Sequence, residues 1–177
     1  MSALARTAAA ALLLACFSPA TSAQTQSLKI GHITPPTHVW HKLSEKIATD
    51  LDKASGGQMK AGVSPLAKLG NEVQMIQLMQ SGALQLGVFT VGALSNREAS
   101  LAGWSLPYVF KDVAHASRAA STPAAQEMLQ RLEPHGLIGL GYAFAGMRHV
   151  LSLQPVASAR DLAHKKIRSF PSPIYND

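Results

Sequence analysis

Three histidines, His32, His38 and His41, fall within ten residues. Imidazoles in that number could ligate zinc in a metal-dependent enzyme or a metal receptor. The surrounding pattern argues otherwise, because His32 lies in a strand-like run, His38 and His41 share a helix start, and no acidic residue stands among them before Glu45. Polar side chains gathered at a helix end explain the cluster without a metal. Two arginines offer different chemistry. On spacing alone Arg148 and Arg168 read as surface cations or members of internal salt bridges. A guanidinium is nevertheless planar, permanently charged and able to present a two-pronged fork to a carboxylate, which an ammonium cannot do. Thr34 and Thr90 fall at the ends of expected strands, where an open α/β sheet presents its carboxyl edge to ligands. Their hydroxyls suit either a ligand or the caps of neighbouring helices.

Signals for enzymatic chemistry are otherwise missing from the sequence. It holds no nucleophile elbow, no phosphate-cradling glycine loop and no Cys–His pair, so neither catalysis nor a cofactor is expected. The single cysteine, Cys16, lies in an N-terminal stretch with the layout of a secretory leader: one basic residue (Arg6), an apolar run over 8–17, and small residues at Thr21 and Ala23. That run is far shorter than the roughly 20 residues needed to span a bilayer. Residues 1–23 are therefore expected to be cleaved after Ala23, delivering the mature chain to the periplasm. Leu13-Leu14-Ala15-Cys16 loosely matches a lipoprotein site, so a lipid anchor at Cys16 is the alternative. Arg6 leaves with the leader and no acidic residue does, so the net charge falls from +6 to +5. The excess is scattered. No Lys/Arg run resembles a nucleic-acid patch, and a modest positive balance suits a collector of anions as well as a solvated surface.

The elements that must position these side chains follow from periodicity. Alternation over 28–33 predicts a strand that stops at Pro35-Pro36. Trp40, Leu43, Ile47 and Leu51 recur at helical intervals until Ser55-Gly56-Gly57. A strand is expected over 58–63 and a loop over 64–70. Asn71 and Gln74 then form a capping box, with Glu72 at the positive end of a helix closed by Gly82. Residues 84–90 read as a buried parallel strand. Helices starting at Asp112 and at Thr122-Pro123 split near Ser121, and strands are expected over 137–144, 148–153 and 166–169, with a helical turn over 157–164. Ser172-Pro173 opens a last helix, and the chain stops about one turn into it, which predicts a truncated sequence. The alternation of strand and helix predicts an α/β domain with a mainly parallel sheet and helices on both faces.

These residues also resemble a known family. KIGHITPPTHVWHKLSEKIATDLDKASGGQMKAGVSP and KLGNEVQMIQLMQSGALQLGVFT look like the opening βαβαβ of TRAP (tripartite ATP-independent periplasmic) transporter receptors, the DctP-type solute-binding proteins. The likeness continues through SLPYVFKD, GYAFAGMRHVLS and DLAHKKIRSFPSPIY, and so covers 28–177 in order. It implies a periplasmic-binding-protein-like fold of two α/β lobes closing over a ligand. Residues 24–153 would form the first lobe and 154–177 the crossover into a second that is largely missing.

The resemblance implies roles for both arginines. Gly146-Met147-Arg148 is similar to a G-x-R motif that places an arginine at the ligand, and Lys166-Ile167-Arg168 to the strand carrying the family's carboxylate clamp. Phe170 stands where relatives often have proline, adding an aromatic wall to the site or merely packing. The expected ligand is a small organic acid (a dicarboxylate, keto or hydroxy acid, or sugar acid), and the expected partners are the membrane permease subunits. A sensor module reporting to a signalling partner would have the same receptor lobe.

Overall fold

A computed structural model describes residues 25–169. The expected leader, Cys16, Phe170 and the helix expected at Ser172 lie outside the described residues. Three parallel strands form the sheet, β1 (Gln26–Gly31), β2 (Met59–Ser64) and β3 (Leu86–Gly87), in the order β2-β1-β3. Helix α1 (Val39–Ala54) carries the chain from β1 to β2, and α2 (Glu72–Gln80) carries it back across β1 to β3. Parallel crossovers are right-handed, so reversing the direction of travel puts α1 and α2 on opposite faces of the sheet. Among the described residues no helix is long and apolar enough to cross a membrane.

Local chemistry explains where these elements begin and end. The His38 side chain accepts the Trp40 N–H at the start of α1, and Gly56 and Gly57, both at positive φ, end the helix before β2. Asn71 and Gln74 form the expected reciprocal box on α2. Gly31 is required by packing: a Cβ there would lie 2.9 Å from the Met75 sulfur and 3.1 Å from a Leu84 methyl. With that side chain absent, Met75 and Leu84 close over the middle strand beside fully buried Ile30. After β3 the chain forms α3 (Val91–Ser95), a 3₁₀ segment (Ala99–Ser105), α4 (Val113–Ala120) and α5 (Pro123–Gln130). Asp112 and Thr122 cap the last two, with Pro123 in the first turn of α5. Ile76, Ala93, Leu101, Leu132 and Leu137 form a core cluster against which Phe89, Trp104 and Tyr142 pack.

The strands depart from expectation in instructive ways. β1 starts two residues earlier than read and ends at Gly31; beyond it the His32 N–H still reaches the last residue of β2, and the carbonyls of His32 and Thr34 then bond to the turn at Leu66 and Ala67. β3 keeps only two residues of the run 84–90. The expected strand over 137–144 does not form. Leu137 is buried and the Tyr142 hydroxyl donates to the Ala125 carbonyl at 2.8 Å, yet Ile138 and Leu140 are 74% and 79% exposed. The inward face has found α5, but among the described residues no neighbouring strand takes the backbone hydrogen bonds. Among the described residues, 148–153 and 166–169 likewise form no strand, and a 3₁₀ turn (Ala159–Leu162) stands within the helical turn expected at 157–164.

Candidate ligand-binding crevice

The strand order reverses at β1, where β2 lies on one side and β3 on the other. In open α/β sheets the usual ligand position is the crevice outside the carboxyl ends of the strands at such a reversal point, which makes this edge the candidate site. Thr34 and Thr90 each stand three residues beyond the last β1–β3 pair, Gly31 with Gly87. The edge is held by backbone bonds. Ser64 O accepts His32 N–H, and the turn after β2 returns Leu66 N–H to Thr34 O at 3.1 Å and Ala67 N–H to His32 O at 3.2 Å. Leu66 and Ala67 adopt left-handed φ values of 59° and 54° to make that turn.

Side chains at this edge form two ordered networks. The fully buried His32 ring accepts the Thr34 N–H at Nδ1 (3.2 Å), with the Thr34 hydroxyl 2.9 Å from the same nitrogen. A backbone N–H can only donate, so Nδ1 carries no proton, and its single lone pair is shared between the Thr34 N–H and the Thr34 hydroxyl proton. The other ring nitrogen, Nε2, then carries the proton and donates to His41 Nδ1 at 3.1 Å, while His41 Nε2 lies 3.3 Å from the Glu45 carboxylate. Burial, and then the nearness of His41 and His38, lower the His32 pKa below the ordinary imidazole range. Across the crevice, Thr90 is nearly buried and is gripped by Glu72 from the first turn of α2. Its N–H donates to Glu72 Oε1, its hydroxyl donates to Oε2 at 2.9 Å, and its Oγ1 accepts the Ala93 N–H as the cap of α3.

Of the residues expected at a site, Thr34 and Thr90 are therefore brought to one sheet edge, each with internal bonds. Arg148 and Arg168 lie on the exposed extended segment after Leu137, outside regular structure. The histidines are organised by hydrogen bonding. His38 is engaged as a helix cap, His32 and His41 bond to each other, and among the described residues no group of three or more His, Cys, Asp or Glu side chains is placed to hold a metal. Sequence reasoning missed Glu72 as a partner of Thr90. Its position at the start of α2 read only as a favourable charge at a helix end.

Residues 30–177 match the family described as bacterial extracellular solute-binding protein, family 7 (DctP). The chain belongs to that family. Its resemblance to TRAP receptors is borne out by relatives and solved structures. The 2,3-diketo-L-gulonate-binding periplasmic protein of Escherichia coli is 30% identical over 162 residues, covering 91% of this chain and 49% of that protein. A TRAP periplasmic solute-binding protein from Citrobacter koseri with bound D-glucuronate superposes with a TM-score of 0.78 at 26% identity, covering 84% of this chain and 50% of that one. One from Bordetella bronchiseptica, with density assigned to pantoate, gives 0.80 at 27% identity and covers 84% and 50%. This DctP-family chain thus spans about half the length of the curated relatives it matches. The family is one of solute-binding proteins, not an enzyme class.

Proposed function

We propose that this chain supplies the first lobe of an extracytoplasmic TRAP-transporter receptor that captures a small organic acid and delivers it to membrane permease subunits. The observation that carries this reading is the family match over 30–177 on a parallel sheet whose strand order, β2-β1-β3, reverses at β1. Residues 24–153 belong to the first lobe, 154–177 cross toward the second, and 1–23 direct export to the periplasm. The named ligands of its relatives, 2,3-diketo-L-gulonate and D-glucuronate, are small acids of the kind an arginine fork recognises.

The mechanism is capture without chemistry. Ligand enters between open lobes and its carboxylate pairs with Arg168, with Arg148 as a second cation and Phe170 beside them. Closure then excludes water, and the charge pair strengthens as the local dielectric falls. The closed shape is what the permease reads.

The test is calorimetric titration of the full-length gene product, purified from the periplasm, with a panel of sugar acids, hydroxy acids, keto acids and dicarboxylates. Saturable binding of at least one acid, with the mature N-terminus at Gln24, is expected. No binding by any of them contradicts the reading, and a lipid-modified Cys16 at the N-terminus contradicts release into the periplasm.

A further inference from the structure

We infer that the first-lobe edge of the crevice is set to accept hydrogen bonds, so that it selects acids bearing donating hydroxyl groups over unsubstituted dicarboxylates and keto acids. This rests on the organic-acid receptor reading above and narrows its ligand.

The inference follows from counting protons and lone pairs. A threonine hydroxyl has one proton to donate and two lone pairs with which to accept. At Thr90 the hydroxyl proton is directed to Glu72 Oε2, and one lone pair takes the Ala93 N–H. What remains is one lone pair. The backbone N–H of Thr90 is also committed to Glu72. At Thr34 the hydroxyl proton shares the single lone pair of His32 Nδ1 with the Thr34 backbone N–H, so both oxygen lone pairs remain. Both hydroxyls at the carboxyl edge of β1 and β3 thus have oxygen lone pairs left and no proton. A ligand hydroxyl can donate to them. A carboxylate or ketone oxygen meets them lone pair to lone pair, which is repulsive.

Glu72 and His32 are accordingly positioning residues that impose this polarity through the threonines. The His32 tautomer is itself held from behind, since its Nε2 proton is directed to His41 Nδ1 and the His41 Nε2 proton faces Glu45. Glu72→Gln reverses the arrangement at Thr90 with almost no change of shape. Its amide oxygen can keep the Thr90 N–H, while its NH₂ donates to Oγ1, occupies the remaining lone pair and turns the threonine proton toward the crevice.

The test is titration of the full-length protein and its Glu72→Gln variant with D-galactonate, 2-oxoglutarate and succinate, with melting curves to confirm folding. Wild type should bind D-galactonate at least about tenfold more tightly than either acid that lacks hydroxyls, the scale of one or two neutral hydrogen bonds. Glu72→Gln should reduce that preference by about tenfold. Should Glu72→Gln fail to fold, Thr90→Ser and Thr90→Val decide the matter: serine keeps the preference and valine loses it. Equal or tighter binding of succinate or 2-oxoglutarate by wild type, or an unchanged preference in Glu72→Gln or Thr90→Val, overturns the inference and leaves the organic-acid receptor standing. Binding of none of the acids overturns both.

Discussion

His32 and His41 hydrogen-bond ring to ring, Nε2 to Nδ1 at 3.1 Å, across the loop that joins β1 to α1. Their rings are tilted by 60° and lie 5.3 Å apart between centroids. The pair ties the carboxyl end of the middle strand to the first turn of the helix that covers it, and the arrangement works only while His32 is neutral. A second proton on His32 would place an N–H against the Thr34 backbone N–H.

A pH dependence follows. His32 is lowered by burial first and then by His41 and His38; these two imidazoles, with the Glu45 carboxylate bonded to His41, are the titratable groups facing the pair. A lowered imidazole binds fewer protons in the folded chain than in the unfolded one. Its stabilising contribution is therefore complete above the unfolded value of about 6.5 and declines as pH falls from there through the folded value. Denaturant melts between about pH 8 and about pH 5 should show wild type losing stability toward acid. His32→Gln should be less stable at the alkaline end and show a shallower slope. Parallel curves for the two proteins would remove His32 as the sensor.

Gly31 should resist substitution. Gly31→Ala places a methyl against the Met75 sulfur and the Leu84 side chain, in a core where Met75 and Leu84 are almost fully buried. Overpacking of this kind costs about 1–3 kcal/mol, and the flexible thioether keeps Ala near the lower end. Gly31→Val should lie at or above the upper end. Chemical denaturation of both variants measures the difference, and a stabilised Gly31→Ala would show that the site has room.

The bare face of the extended segment predicts self-association. Leu151 and Leu153 are fully exposed, as are most of Ile138 and Leu140, and large apolar side chains left in water promote aggregation. Residues 24–177 produced alone should aggregate and bind ligand weakly. Ile138→Lys with Leu140→Lys should shift light scattering toward monomer. Nanomolar ligand binding by that fragment would contradict the two-lobe architecture.

Much of this was legible in the sequence, for reasons that differ by element. The first helix, the Asn71–Gln74 box and the caps at Asp112 and Thr122 depend on neighbours within four residues, so spacing reveals them. Residues 137–144 show the alternation of a strand, yet a strand exists only when another backbone accepts its bonds, and a short-range pattern cannot supply one. Thr34 and Thr90 were placed at the sheet edge by counting along strands. The Glu72 grip on Thr90 spans eighteen residues and the His32–His41 bond depends on the path of a loop, so neither is visible in local pattern. Arg148 and Arg168 stand out through motif likeness alone, and the contact with ligand proposed for them would need the closed two-lobe protein.

Titration of a cognate organic acid against full-length wild type, Arg168→Lys and Arg168→Ala tests carboxylate capture most directly. Lysine keeps the charge without the fork, and alanine leaves the buried carboxylate without a partner. Loss of one member of a buried charge pair costs about 2–5 kcal/mol, so alanine should weaken binding by roughly 30-fold to several-thousand-fold, and lysine by a smaller but clear factor. Circular dichroism should show both variants folded. Affinities within about threefold of wild type in both would contradict carboxylate capture by Arg168.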